Sequence, residues 1–155
     1  MRLVVQRVSR ASVDADGVRL ATIGRGALVL AGVATRDDEQ VVVRMAEKLA
    51  GLRYFEDAAG RTNLSIDAIG GAFLVVSQFT LLADVRRGRR PGFTDAAPPD
   101  QAVVLVDRFL ERLRASGVPV ETGRFGASMT VELVNDGPFT LVLDSGVDLP
   151  SPGST

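Results

Sequence analysis

Short runs of apolar residues, many of them β-branched, are distributed along the whole chain and predict a protein rich in β-strands. The run at residues 27–33 is apolar without interruption, so we expect that strand to be covered on both faces. A turn at Ala15-Asp16-Gly17 joins two further strands into a hairpin. The two strands of this hairpin are predicted at residues 11–14 and 18–23, and further strands are predicted at residues 2–8, 53–55 and 72–76.

Two segments change to a period of about 3.6 residues, which indicates amphipathic helices. The first is capped by Asp37 or Asp38 and ends near Gly51, and the second begins at Pro99 and is stopped by Gly117. The apolar faces consist of Val41, Val42, Met45 and Leu49 in the first helix and of Ala102, Val106, Phe109, Leu110 and Leu113 in the second. Because the strands come in runs with few strand–helix alternations, we predict an α+β fold with a mainly antiparallel sheet.

The segment Asn135-Asp136-Gly137-Pro138-Phe139-Thr140 lies between strand-like runs at residues 128–134 and 139–143. Asp-Gly is a favourable two-residue turn, so the pattern predicts a hairpin. Pro138 has no N–H, however, and cannot close the usual hydrogen bond back to Asn135. A Gly-Pro bond can also adopt the cis form at modest cost. A turn weakened in this way indicates that the segment has a second role.

The composition is that of one ordinary globular domain. The 155 residues are 46% hydrophobic and 24% charged, with a net charge of −1. A near-neutral chain has no overall field that would attract nucleic acid or an acidic membrane surface. We expect a single domain over residues 1–145, followed by a loose tail at residues 146–155 in which Pro and Gly are frequent.

The chain contains no cysteine and no histidine. Disulfides, thiolate nucleophiles, imidazole bases and Cys/His metal sites are therefore excluded. Any catalysis must use hydroxyls, carboxylates, amides, Arg, the single Lys48 or the backbone, and we expect no metal and no cofactor. The longest apolar run is too short for a bilayer and the first residues lack a cleavage region, which together predict a cytoplasmic protein without a membrane partner.

Polar residues follow the predicted strand at residues 72–76, in the order Ser77-Gln78-Phe79-Thr80. Such residues can simply end a strand, with their hydroxyl groups satisfying nearby backbone groups. Polar side chains and free N–H groups that meet at a strand end can also bind an oxyanion. The pattern leaves both interpretations open.

An irregular segment at residues 84–99 carries Arg86, Arg87, Arg89 and Arg90. A cluster of charges is often only a solvated surface. Four arginines on a near-neutral protein nevertheless form a local positive patch, and guanidinium groups match the geometry of phosphate oxygens. A solvated surface and a phosphate site are both compatible with this sequence.

Several motifs together resemble the D-aminoacyl-tRNA deacylase family, long called D-tyrosyl-tRNA deacylases. The likeness extends over nearly the whole chain, to about Asp144. It is carried by Ser77-Gln78-Phe79-Thr80-Leu81 and by Asn135-Asp136-Gly137-Pro138 followed by Thr140. Further matches are Gln6-Arg7-Val8, Arg10-Ala11-Ser12-Val13, Arg90-Pro91 with Phe93, and Thr122-Gly123-Arg124-Phe125.

This resemblance implies a homodimer with a barrel-like sheet that hydrolyses the ester between a D-amino acid and the 3′-terminal adenosine of tRNA. Mischarged glycyl-tRNA is implied as a second substrate. In this family the Gly-Pro bond is cis, and the pair enters the active site of the partner subunit. Carried over, the carbonyl groups of Gly137 and Pro138 face the α-carbon of the substrate and exclude an L side chain, while Arg7 holds the motif in place.

The same resemblance assigns Ser77, Gln78 and Phe79 to the scissile ester, with the Phe79 backbone N–H as the oxyanion donor. It makes Thr80 a candidate nucleophile and places Phe125 in the adenosine pocket. Two residues depart from the family pattern. Phe139 stands where Val is usual, which leaves the packing behind the motif open, and Gly92 replaces a Ser.

Two other functions remain open from the sequence. One is a non-catalytic RNA-binding module that uses the arginines of residues 86–90 as a phosphate clamp. The other is a small metal-independent hydrolase that acts on a different ester.

Overall fold

The first strand organises the sheet. In the computed structural model, which describes residues 1–150, β1 (Arg2–Ala15) runs unbroken through two segments that the sequence predicted as separate strands. Leu3 belongs to one apolar cluster and Val13 belongs to another. The register of β1 against the last strand shifts between Gln6 and Val8 and again between Val8 and Arg10, and the residues of β1 in the second cluster begin at Val8.

Within the described residues the chain forms eight strands, two main helices and two short helical turns. The strands after β1 are β2 (Val18–Ile23), β3 (Gly26–Gly32), β4 (Arg53–Glu56), β5 (Thr62–Ser65), β6 (Ala72–Ser77), β7 (Val120–Thr122) and β8 (Met129–Asp144). The helices are α1 (Glu39–Gly51), α2 (Pro99–Arg114) and the short α3 (Ser145–Asp148), with a 3-10 turn at Phe79–Leu82. None of the described helices is both long enough and apolar enough to cross a membrane.

Six strands form one mixed sheet in the order β2-β1-β3-β6-β7, with β8 paired along the other side of β1. β1 runs antiparallel to β2, β3 and β8, whereas β6 runs parallel to both β3 and β7. Strand β2 also lies against β6 and β7, so the sheet curves into a nearly closed barrel. The α+β prediction with a barrel-like sheet and two main helices is confirmed, and the parallel pairs make the sheet mixed.

Strand β3 is covered on both faces, as its uninterrupted apolar sequence predicted. Val29 belongs to the cluster that includes the apolar faces of α1 and α2, and Leu28 belongs to a second cluster that is built by strands alone. Helix α1 begins as expected, because the Asp38 carboxylate accepts the Val41 N–H at 2.9 Å. The two helices therefore cover one face of the sheet and leave the strand ends accessible.

The hairpin predicted near the C-terminus is wrong. Both flanking runs belong to the single strand β8, which stays antiparallel to β1 along its whole length. Val8 pairs with Asn135 and Gln6 pairs with Thr140, so the residues between Asn135 and Thr140 bulge out opposite Arg7. The chain direction does not reverse at this point because β1 is long enough to pair with both runs.

Two segments predicted as irregular contain short elements. Strand β5 pairs with β4 in a separate two-stranded sheet, although it carries only one large apolar residue, Leu64, and so shows no clear period. Helix α3 lies mostly within the predicted tail, where the Asp144 carboxylate accepts the Gly146 N–H at 2.9 Å. The last five residues, 151–155, lie outside the described part of the chain, so the tail remains a prediction there.

Gly26 opens β3 at a point where the backbone of β6 comes very close. A Cβ atom on Gly26 would collide with the Ala72 carbonyl oxygen, whereas a Cβ on Gly24 would meet nothing within 4 Å. We expect Gly26→Ala to lower the free energy of unfolding by about 1–3 kcal/mol, because a backbone partner cannot move aside. Gly24→Ala, the matched control, should stay within about 0.5 kcal/mol of wild type in urea denaturation. Equal values for the two variants would contradict this packing.

Candidate active site

A pocket of about 610 Å³ opens where β3 and β6 end. Four of the predicted site residues line it, namely Ser77, Gln78, Phe79 and Phe125. The other lining residues are mostly small or apolar and come from β3, β6, α2, β8 and the loops beside them: Ala31, Val33, Val76, Phe93, Ala96, Ala97, Pro98, Pro99, Ala102, Val106, Gly126, Ala127, Met129 and Val131. The pocket thus combines an apolar interior with one polar strand end.

The end of β6 supplies the polar wall of the pocket. β6 stays paired with β3 up to Ser77, and the Gln78 N–H donates to the Ala31 carbonyl at 2.8 Å. The chain then enters the 3-10 turn that begins at Phe79. The first N–H groups of a helical turn have no acceptor inside it. The Phe79 N–H therefore suits the oxyanion role that the family resemblance implies.

Thr80 follows this wall but is not among the residues that line the pocket. Its hydroxyl accepts a hydrogen bond from the Gln78 side-chain amide at 2.6 Å. A nucleophilic hydroxyl needs a base that accepts its proton, and an amide N–H cannot act as one. The contacts of Thr80 therefore do not favour a nucleophilic role.

Gly32 lies beside the pocket wall, and the sequence analysis did not single it out. A Cβ atom at this position would lie 2.5 Å from Leu82 Cδ2 and 2.8 Å from the Gln78 carbonyl oxygen. The 3-10 turn can lie directly against the end of β3 only because residue 32 has no side chain. Glycine is common where a strand ends, so nothing in the sequence pattern distinguished this one.

Phe125 reaches the same pocket from a distant part of the chain. It lies in the connection between β7 and β8, where the Ala127 N–H donates to the Arg124 carbonyl at 3.2 Å. The sequence pattern did not single this residue out, and only the family resemblance connected it with residues 77–80. The curvature of the barrel brings the two segments to one opening.

Arg7 and the bulge of β8 form a second cluster. The buried Arg7 guanidinium donates to the Asp136 carbonyl at 2.8 Å and to the Tyr54 carbonyl at 3.0 Å. The Glu56 carboxylate lies 3.6 Å from it, and the Phe139 ring centroid lies 4.7 Å from the guanidinium carbon. A buried guanidinium needs acceptors for its N–H groups. Arg7 therefore ties the bulge to β4.

The Asn135 side chain closes the bulge in place of the backbone bond that Pro138 cannot make. Its Oδ1 accepts the Phe139 N–H at 3.1 Å, and its Nδ2 donates to the Phe139 carbonyl at 3.0 Å and the Arg7 carbonyl at 2.9 Å. The bond between Gly137 and Pro138 is cis, and both residues are exposed. One side chain thus defines the bulge from both ends.

Phe139 fills the space behind the bulge. Its ring stacks on Tyr54, with the ring centroids 6.3 Å apart and an interplanar angle of 22°. Tyr54 is itself buried, and its burial raises the pKa of the phenol above its ordinary value. Phe139, which stands where Val is usual in the family, therefore packs behind the bulge against an aromatic residue of the core.

Arg7, Gly137 and Pro138 are not among the residues that line the pocket, although the resemblance assigned them to the same site. In one chain, the structure brings Ser77, Gln78, Phe79 and Phe125 together, and it brings Arg7 to the bulge. Over residues 1–150, no group of three or more Asp or Glu side chains is placed to hold a metal ion. The polar side chains that line the pocket are those of Ser77 and Gln78.

The sequence matches a protein-family model described as D-Tyr-tRNA(Tyr) deacylase over residues 4–144. A D-aminoacyl-tRNA deacylase of Thermomicrobium roseum is 59% identical over 145 residues, which cover 94% of this chain and 94% of that protein. Another, from Symbiobacterium thermophilum, is 60% identical over 145 residues, which cover 94% of this chain and 96% of that protein.

Two solved structures have the same fold. The c-Myc DNA unwinding element binding protein superposes with a TM-score of 0.87 at 40% identity, covering 93% of this chain and 98% of that chain. A probable eukaryotic D-amino acid tRNA deacylase superposes with a TM-score of 0.80 at 21% identity, covering 92% of this chain and 97% of that chain. The second similarity is one of fold alone.

Proposed function

Because the chain belongs to the D-Tyr-tRNA(Tyr) deacylase family, we propose that it hydrolyses the ester between a D-amino acid and the 3′-terminal adenosine of tRNA in the cytoplasm. It is a hydrolase of the D-aminoacyl-tRNA deacylase class. The observation that carries the proposal is the pocket in which the polar end of β6 meets exposed aromatic rings. The family model and the two relatives carry the name of a deacylase, so they favour this enzyme over the non-catalytic RNA-binding module that the sequence left open.

The reaction needs little chemical help from side chains. An aminoacyl ester beside a ribose hydroxyl is already activated, so a chain without His or Cys can hydrolyse it by positioning the ester and stabilising charge. Water attacks the carbonyl carbon, the Phe79 N–H binds the oxyanion, and the bond to the 3′ oxygen breaks. One such donor is worth roughly 2.7–4 kcal/mol. The neighbouring 2′-hydroxyl assists the proton transfer to the leaving oxygen.

Selection of the D substrate falls to Gly137 and Pro138 of a second subunit. Their carbonyl groups face the α-carbon of the substrate and collide with an L side chain, whatever that side chain is. Glycine has no side chain to exclude, so mischarged glycyl-tRNA is a second substrate. Rejection by collision requires a backbone that does not move aside. The hydrogen bonds of Arg7 and Asn135 to the bulge support this role.

Strand β8 offers the surface for the second subunit. Its outer edge has no strand partner within residues 1–150, and the strand is 16 residues long. A long unpaired edge is a ready site for association, and the exposed Val134 and Val142 add apolar surface to it. The bulge lies on this strand but does not line the pocket of its own chain. We therefore propose a homodimer in which each bulge enters the pocket of the partner.

The central test compares D-tyrosyl-tRNA, L-tyrosyl-tRNA and glycyl-tRNA as substrates without added metal. We expect the D-tyrosyl and glycyl esters to be hydrolysed at least about a hundredfold faster than the L-tyrosyl ester, a difference of roughly 2.7 kcal/mol in activation free energy. The release of free tRNA measures each rate. Equal hydrolysis of the two tyrosyl esters, or no hydrolysis of either, would refute the proposed function.

Thr80→Ala should retain substantial activity on D-tyrosyl-tRNA, because the backbone and not the hydroxyl stabilises the transition state. We expect kcat to fall by less than about tenfold, whereas loss of a true nucleophile costs on the order of 10³-fold or more. Thr62→Ala, an exposed threonine on β5, is the matched control. A decrease in kcat of about 10³-fold or more in Thr80→Ala would instead identify Thr80 as the nucleophile.

Gly137→Ala should lower kcat/KM for D-tyrosyl-tRNA by about tenfold or more, equivalent to roughly 1.4 kcal/mol. Gly137 has a φ of +154°, and a Cβ atom there would lie 2.5 Å from the Phe139 nitrogen, so the bulge must change shape. Gly60→Ala is the control, because Gly60 has a φ of +72° and open space around it. That variant should lose stability but keep its activity. An unchanged rate in Gly137→Ala would contradict the role of the bulge.

A mixing experiment tests whether the bulge acts across subunits. Gly137→Ala damages the bulge, and Gly32→Ala damages the pocket by pushing on the Gln78 carbonyl and Leu82. If the bulge of one chain completes the pocket of the other, unfolding and refolding the two impaired variants together adds about one quarter of the wild-type activity to what they retain alone, because half of the dimers are mixed and each mixed dimer has one intact site. A bulge that serves its own chain gives no recovery beyond the two variants alone.

A further inference from the structure

Three phenylalanines surround the opening of the pocket with their rings partly in solvent. Phe79 is 56% exposed, Phe93 is 37% exposed and Phe125 is 38% exposed. Phe79 and Phe93 meet edge to face, with ring centroids 5.1 Å apart and an interplanar angle of 70°. Large aromatic side chains are normally buried, and exposed rings beside a pocket are a platform on which nucleobases stack.

Phe93 stands at the base of the arginine-rich loop. Asp84 and Gly92 exchange two backbone hydrogen bonds of 2.8 and 2.9 Å, which close the loop, and residues 85–91 between them are exposed. Phe93 follows this closure directly and lines the pocket. The loop is therefore joined to the pocket opening at its base.

The arginines of the loop are not equivalent. Arg86 is held by the Asp84 carboxylate through bonds of 2.9 and 2.8 Å, and this partner keeps the pKa of Asp84 well below its ordinary value. Arg87, Arg89 and Arg90 are exposed, and none of them has an ion-pair partner within residues 1–150. Two carboxylates of the segment, Asp84 and Asp95, offset only half of its positive charge. Three guanidinium groups thus remain available for a ligand.

We propose that this surface binds the single-stranded RNA immediately 5′ of the terminal adenosine, with a base stacked on Phe93 and phosphates bound by the arginines. The surface, here called the aromatic–arginine rim, consists of Phe79, Phe93, Arg87, Arg89 and Arg90. The inference rests on the proposed function, which places the terminal nucleoside in the adjoining pocket. Unpaired nucleotides are recognised by stacking on aromatic rings and by arginine, whereas a double helix keeps its base faces hidden.

The rim predicts that substrate length matters. The three substrates are the D-tyrosyl ester of adenosine, the same ester of the trinucleotide CCA, and D-tyrosyl-tRNA. We expect wild-type kcat/KM to rise from the adenosine ester to the trinucleotide ester. Phe93→Leu keeps an apolar side chain but removes the ring, and it should lower kcat/KM for the trinucleotide ester by about tenfold more than for the adenosine ester. Phe93→Tyr, which keeps a ring face, should restore most of this loss.

The arginines are tested by salt dependence. Replacing Arg87, Arg89 and Arg90 together by Gln should lower kcat/KM for D-tyrosyl-tRNA and flatten its dependence on salt, by a slope of about 0.7 for each phosphate that an arginine no longer neutralises. Arg114→Gln, an exposed arginine at the end of α2, is the control and should stay within about twofold of wild type. An unchanged salt slope in the triple variant would overturn the role of the arginines.

A binding measurement separates this inference from the proposed function. Fluorescence anisotropy compares a short labelled single-stranded RNA that ends in CCA with the same sequence in a blunt hairpin. Preferential binding of the single strand that is weakened by Phe93→Leu and by the triple variant supports the rim, even if every aminoacyl ester proves inert. Equal binding of both RNAs, or equal decreases in kcat/KM on the adenosine and trinucleotide esters in Phe93→Leu, would overturn it while leaving the deacylase function standing.

Discussion

The buried guanidinium of Arg7 is the interaction on which the arrangement of this protein depends. It lies where β1, β4 and β8 meet, and a buried cation is tolerated only when acceptors surround it. The Tyr54 and Asp136 carbonyl groups are two of these acceptors. The Asp136 carbonyl is available because β8 does not pair with β1 opposite Arg7. If Asp136 were paired, its carbonyl would lie within the hydrogen-bonded sheet. The buried arginine and the bulge therefore stabilise each other.

The pocket depends on a different constraint, namely the close approach of the 3-10 turn to the end of β3 at a glycine. The parallel pairing of β3 and β6 ends both strands at one edge, with Ala31 opposite Ser77. Gly32 then lets the 3-10 turn lie against the end of β3, and Phe79, the first residue of this turn, lines the pocket. The size and position of the pocket follow from strand ends more than from any single reactive side chain.

Both constraints act on the backbone, in a hydrolase whose chain has no His and no Cys. The bulge and the 3-10 turn are both shaped by hydrogen bonds to backbone groups. Preorganised backbone donors need no titratable residue and no movement during the reaction. The side chains of Arg7 and Asn135 form hydrogen bonds that hold the backbone of the bulge in position.

The sequence by itself determined the elements that follow from local pattern, such as the Asp38 cap of α1 and the two-sided burial of β3. The site residues at 77–80 came from a family motif, because pattern alone could not distinguish a strand end from an oxyanion site. Only the tertiary structure decided that Asn135 begins a bulge and not a hairpin. Asp-Gly-Pro is compatible with both, and the pairing of β8 with the distant strand β1 selects the bulge, with Asn135 bonded to the carbonyl of a residue 128 positions away. Local sequence limits the conformations of a segment, whereas contacts between distant segments select among them.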